Sequence, residues 1–242
     1  MTRILLSTSL GDLSSGAVVE VIGEELHYLK NVRRHGAGDT VILVDNDANS
    51  FEAVVLRVDS AQATLSLGQP LTDGVVPLNV HILAAVPREK LLDDVVRKLS
   101  ELGVNRFTPL VCERSSVVPG AQRQERWQRI ATQSMRQCRR QRVLDIDSAV
   151  DFDKAVRTLR AEHRFMLHPD GGVAMGTLMQ SRVDGDMAIL VGPEGGFSPR
   201  EVAFATEHSF KSMRAGHSIL RMETAMLVAS VAGIAMLGGY DV

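Results

Sequence analysis

At Leu78 the hydrophobic pattern changes period, and that change constrains the fold more than any other feature of the chain. From Ala17 to Leu67 the apolar residues come in short β-branched runs, AVVEVI, TVILVD, FEAVVLRV and ATLSLG, separated by turn residues such as Asp45-Asn46-Asp47. One helical stretch, around HYLKNVRR and closed by Gly36, interrupts them. Beyond the linker-like PLTDGVVP, strand candidates NVHILAAV, RFTPLV, VLDID, RFMLH and MAILVG alternate with helical segments. The clearest helix places Leu91, Leu92, Val95, Val96, Leu99 and Leu102 on one face and stops at Gly103. The expectation is a small β-rich domain over 1–72 and an α/β domain over 73–242. Alternating strands and helices imply a mostly parallel sheet with ligands at its carboxyl ends.

With 242 residues, 45% of them apolar, the chain has enough sequence for a real core without staples. Only 4% of residues are aromatic, which disfavours a base-stacking platform. A net charge of −2 excludes a globally basic binder but not a local basic face. Cys112 and Cys138 lie far apart, and His81, His163 and His168 do not pair at ligand spacing, so neither a disulfide framework nor a metal site is expected. The start, MTRILLSTSLGD, lacks a secretory h-region, and the longest apolar run, Ala225 to Gly239, falls short of a membrane span. A reduced cytoplasm, no membrane and a buried C-terminal helix are therefore expected.

Three segments offer chemistry. In MAILVGPEGGFSPREV an apolar strand runs into Gly192-Pro193-Glu194-Gly195-Gly196, and a helix begins with Ser198 as N-cap, Pro199 first and Glu201 closing a capping box. Glycines at the end of a strand let a ligand approach bare backbone, although a plain βα turn has the same pattern. The segment is neither a Walker A loop nor a dinucleotide fingerprint. In AGHSILRMETAMLVASVAGIAML, Arg221 and Glu223 stand at the start of the last helix, either as a local ion pair or as part of a site. That helix is apolar on more than one face, so a subunit interface is one way to bury it. Finally, Arg123 to Arg142 includes Arg126, Arg129, Arg136, Arg139 and Arg140 with Glu125 as the sole acid, and Lys30, Arg33, Arg34 and His35 form a smaller cluster. Such clusters bind phosphate or form a solvated face; Trp127, inside the run, reads as a core anchor.

GPEGGFSPREV followed by ILRMETA, with KLSELGVNRFTPLVCERSSV, QCRRQRVLDI and HYLKNVRR upstream, resembles the RsmE family of 16S ribosomal RNA uridine N3-methyltransferases over nearly the whole chain. The resemblance implies a SPOUT-class protein: a PUA-like β-barrel domain, then an α/β methyltransferase domain tied in a trefoil knot, acting as a homodimer in the cytoplasm. It implies S-adenosyl-L-methionine held by Leu167, His168 and Pro169, by Gly192, Pro193, Glu194, Gly195 and Gly196, and by Ile219, Leu220 and Arg221. Arg114 and Arg221 are then candidate stabilisers of a uridine anion, while Glu194 either takes the proton or holds its loop. Lys30, Arg33, Arg34, Arg136, Arg139 and Arg140 are candidate contacts to 16S rRNA or the small ribosomal subunit. Three places depart from the family pattern: Ala215-Gly216-His217-Ser218 lacks an arginine before ILR, QCRR stands for QCGR, and Leu144 replaces a proline. An enzyme acting on another base or on transfer RNA, and a non-catalytic RNA-binding assembly factor, are the competing readings; only the second leaves the glycine turn without a ligand.

Overall fold

The computed structural model describes residues 1–6, 8–45, 47, 49–71, 78–87, 91–138, 140 and 142–240. The chain divides into a unit of Met1–Pro77 with Met135–Val143 and a unit of Leu78–Ser134 with Leu144–Val242. The boundary expected between 72 and 73 lies outside the described residues. The grouping of 135–143 with the first unit has no counterpart in the expectation, because a helix that passes from one unit to another keeps its period throughout.

The first unit comprises β1 (Arg3–Leu5), β2 (Val18–Val21), α1 (Gly23–His27), β3 (Thr40–Val44), β4 (Ser50–Val58) and β5 (Ala63–Pro70). Its strands form one sheet in the order β1-β3-β4-β5-β2, antiparallel except for the β1–β3 pair. Alternation along β4 and β5 buries Phe51, Ala53, Val55, Ala63, Leu65 and Leu67 against Ile4, Leu10, Val41, Leu43 and Leu29. The four β-branched runs became strands as expected; β1, only three residues long, was too short for periodicity to reveal. The helix differs from its expectation. It starts at Gly23 and passes into a π-helical turn over Tyr28–Val32, where Arg33 N–H donates to Tyr28 O, five residues back, at 2.9 Å. Arg34, at φ 58°, breaks the helix before Gly36 is reached.

The second unit follows the alternation: β6 (Val80–Ala85), α2 (Leu92–Leu102), β7 (Arg106–Val111), α3 (Ala121–Cys138, whose last turn belongs to the first unit), β8 (Asp145–Ile146), β9 (Val150–Asp151), α4 (Phe152–Thr158), β10 (His163–Leu167), β11 (Val173–Ala174), α5 (Met175–Leu178), β12 (Met187–Val191), α6 (Pro199–Glu207), β13 (Lys211–Arg214) and α7 (Met222–Met236). The sheet runs β11-β13-β10-β12-β6-β7-β8, with β9 beside β7, and every pairing recorded is parallel. All five residues of central β12 are buried, as continuous apolar strands covered on both faces should be. Gly103 ends α2 at φ 113°. Helix α7 packs on β12 and β6, where Gly233 brings its backbone against Ile189, Met187 and Val80. No helix among the described residues is long and apolar enough to cross a membrane.

Candidate active site

Register brings three loops to one level. Leu167, the last residue of β10, lies opposite Val191 of β12 on one side and Met213 of β13 on the other. The chain therefore leaves three adjacent parallel strands side by side, and their exits enclose a cleft of about 880 Å³, within the range of small-molecule sites. Every residue that the family resemblance assigned to cofactor binding lines this cleft, from Leu167 to Pro169, Gly192 to Gly196 and Ile219 to Arg221, and so does Arg114 from the loop after β7.

The glycine turn owes its shape to local chemistry. Gly196 sits at φ 69°, where a side chain is strained, and its N–H closes a turn onto Pro193 O at 2.8 Å. A Cβ on Gly192 would meet the Phe197 ring at 3.1 Å, so that position admits close packing only without a side chain. Helix α6 then begins with the capping box expected from Ser198 and Glu201: Ser198 Oγ accepts the Glu201 N–H at 3.2 Å and Glu201 Oε2 accepts the Ser198 N–H at 2.8 Å. Arg221 proves to be the N-cap residue of α7, without a side-chain cap bond. Ile219, two residues earlier, is 87% exposed, an unusual apolar display at the mouth of a cleft.

Arg114 Nη1 donates to Gly195 O at 2.7 Å, tying the loop after β7 to the glycine turn. Next to it, Arg200 bonds Glu113 and reaches both carboxylate oxygens of Asp153 at 2.9 and 3.0 Å. That guanidinium holds the Glu113 and Asp153 carboxyls below the usual range. Burial, with Glu201 near, pushes the Cys112 thiol up to about 12, so it stays protonated and unreactive. Sequence reasoning missed this Glu113–Arg200–Asp153 latch and the inward reach of Glu201; their partners lie 47 to 88 residues apart, a distance at which a single sequence carries no signal. Glu194 is exposed, and the carboxylate that takes backbone N–H bonds here belongs to Glu201.

The basic residues scatter. Lys30, Arg33 and Arg34 are exposed on the first unit. Arg136 is not on a solvated face: it pairs with Glu25 and lies over the Tyr28 ring, 4.1 Å from its centroid. Burial raises the Glu25 carboxyl above its ordinary value while Arg136 pulls it back. Arg140 is half-buried, and burial together with Arg142 lowers its basicity. Arg139 lies outside the described residues. Arg126 pairs with Asp93. Two arginines of the run, Arg126 and Arg136, thus meet acids supplied by α2 and α1 instead of by their own helix. Trp127 is buried, as an anchor should be, with its indole N–H on Asp93.

A model of the RNA methyltransferase domain matches residues 75–233, and one of the RNA methyltransferase PUA domain matches residues 21–67. Among curated relatives, the ribosomal RNA small subunit methyltransferase E of Synechocystis is 29% identical over 88% of this chain and 71% of its own length. The protein of the same name from Bacillus subtilis is 28% identical over 95% of this chain and 94% of its own. The fold is also similar to the crystal structure of the ribosomal RNA small subunit methyltransferase E of Neisseria gonorrhoeae bound to S-adenosyl methionine, with TM-score 0.84 and 26% identity over 98% of each chain.

Proposed function

Since the chain belongs to the RNA methyltransferase family, we propose that it transfers a methyl group from S-adenosyl-L-methionine to N3 of a uridine in 16S ribosomal RNA, working in the cytoplasm as a homodimer. The observation that carries this reading is the cleft itself, in which three strand ends in register present backbone and small residues to a ligand of cofactor size. The residues fit such a molecule: Gly196 has open space where a side chain would stand, and Ile219 and Leu220 offer apolar surface for an adenine. When bound, S-adenosyl-L-methionine supplies an electrophilic methyl on a sulfonium.

The chain's own residues do the rest. Leu167, His168 and Pro169, Gly192 to Gly196, and Ile219 to Arg221 hold the cofactor. Asp170 N–H donates to His168 Nδ1 at 3.3 Å, which orients the ring within its loop. Arg114 and Arg221 stabilise the uracil anion that forms as N3 loses its proton, at a site preorganised before substrate arrives. With Glu201 bracing the turn, the exposed Glu194 carboxylate is left to accept that proton.

The finer architecture follows from the same reading. The PUA-like barrel domain, 1–72, and the methyltransferase domain, 73–242, divide RNA binding and chemistry. After β12 the chain crosses to β13 on the far side of β10 and returns so that α7 lies under β12 and β6, which supports the trefoil knot of the SPOUT class. A shallow apolar groove of about 530 Å³ between Leu102, Met175, Met179, Leu227, Val228 and Val231 supports a second copy docking along α7. Lys30, Arg33, Arg34 and Arg140, with Arg139, contact RNA phosphates, and Arg136 joins them by exchanging Glu25 for phosphate. The test is to delete the gene and map 16S rRNA by mass spectrometry: one uridine should lose a methyl group, and an unchanged map refutes the assignment.

A further inference from the structure

The geometry points to Glu201 as a positioning residue that holds Arg114 at the cleft through the backbone of Glu113. This inference rests on the role of Arg114 proposed above. A capping box needs one carboxylate oxygen, and Glu201 Oε2 serves it by accepting the Ser198 N–H. The other oxygen does something capping does not require. Glu201 Oε1 accepts the Glu113 N–H at 2.9 Å, from a loop 88 residues away in sequence. The side chain is fully buried, and its charge is met by these N–H groups and by the start of α6.

One rigid carboxylate therefore spans the exits of two strands, β7 and β12. Arg114 follows Glu113 directly, and its guanidinium rests on Gly195 O, three residues before Ser198. The loop beyond is closed on itself, with Ser115 Oγ accepting the Cys112 N–H at 2.9 Å and Ser115 N–H donating to Cys112 O at 3.0 Å. Its outer attachment, Arg200 to Glu113, is exposed and set among water, where such pairs contribute little. Glu201 is the inner attachment. A glutamine there has one acceptor for two N–H donors and turns an NH2 toward one of them, which releases either Glu113 or the cap.

The experiment is a double-mutant cycle on methyl transfer to undermethylated 16S rRNA, using Glu201→Gln, Arg114→Ala and both together. Glu201→Gln should lower kcat at least tenfold and change the affinity for S-adenosylhomocysteine, measured by calorimetry, less than threefold. Added to Arg114→Ala, it should lower kcat less than twofold further. In the protein without cofactor, the Glu113 amide should exchange with solvent faster in Glu201→Gln than in wild type. Arg200→Gln should leave kcat within twofold. If the glutamine variant does not fold, Glu201→Asp, which keeps the buried charge and shortens its reach, takes its place in the cycle. Losses of kcat that multiply in the double variant overturn the coupling. An Arg114→Ala enzyme with wild-type kcat overturns the role of Arg114 and the inference with it, and the single variant alone distinguishes that failure from the first.

Discussion

Two buried carboxylates, Asp45 in the first unit and Glu201 in the second, organise their surroundings in contrasting ways. Asp45 accepts the N–H groups of Leu10, Asp47 and Asn49 and the Asn49 side-chain amide, closing the β3–β4 loop largely upon itself. Glu201 joins two loops that enclose the cleft. A region whose loops are tied locally can present a surface without putting that surface under load, and the exposed Lys30, Arg33 and Arg34 lie in such a region. Where bonds cross a cleft, the same groups maintain the fold and set the site. Damage to the first unit should therefore appear as lost stability or RNA affinity, and damage to the second as lost cofactor binding or rate.

The sharpest way to break this contrast is at Gly195. Its replacement by Val puts a branched side chain where a Cβ would already touch Arg114 Cδ at 3.4 Å and fills the space in front of the turn. Calorimetry with S-adenosylhomocysteine should show affinity reduced by about 1000-fold, ~4 kcal/mol, with the circular dichroism spectrum of the wild type. Wild-type affinity in the folded variant would remove the turn from the site.

Asp45→Ala should do the opposite. Stranding several N–H groups costs about 3 kcal/mol in denaturant unfolding, and amides of β3 and β4 should exchange faster while cofactor affinity stays unchanged. A parallel loss of cofactor affinity would show that the two regions are not separable in this way.

A third test uses pH. Near the starts of β6 and β7, His81 Nε2 donates to Thr108 Oγ1 at 2.7 Å, Thr108 bonds Asp147, and Arg106 clamps the same carboxylate. Burial, aided by Arg106, pushes the His81 pKa down to about 4. Because the unfolded chain takes up this proton near pH 6.5 and the folded one does not, the contribution of neutral His81 is complete above that pH. It declines as pH falls and is lost by about pH 4, amounting to roughly 3 kcal/mol. His81→Gln should flatten unfolding free energy over this window; an equally steep profile would assign the titration to another group.

The smallest effect concerns single cations. Arg33→Gln and Arg34→Gln should each flatten the plot of log RNA affinity against log salt by about one unit. Arg126→Gln, whose charge Asp93 already meets, should leave the slope alone. Equal slopes in all three would move the RNA surface elsewhere.

Much of this was legible in the sequence where one element carries its own signal. The apolar run of β12, the glycine turn and the Ser198–Glu201 capping box sit within 15 consecutive residues, so local pattern sufficed. The helix at Tyr28 was recognised, but its π-helical turn and its break at Arg34 were not, because Gly36 offered a better stop signal than an arginine at φ 58°. The pairing of Arg136 with Glu25 carried no signal in the sequence, because the two stand 111 residues apart. Short β9 and β11, two residues each, exist through their neighbours and have no pattern of their own.

The central claim is that the cleft serves uridine N3 methylation of 16S rRNA. Incubating the purified protein with methyl-labelled S-adenosyl-L-methionine and undermethylated small subunits, then digesting the RNA and separating the nucleosides, tests it most directly. The account predicts label in 3-methyluridine from one position, absent with the Gly195→Val protein. Label in another nucleoside, or transfer undiminished in that variant, would contradict it.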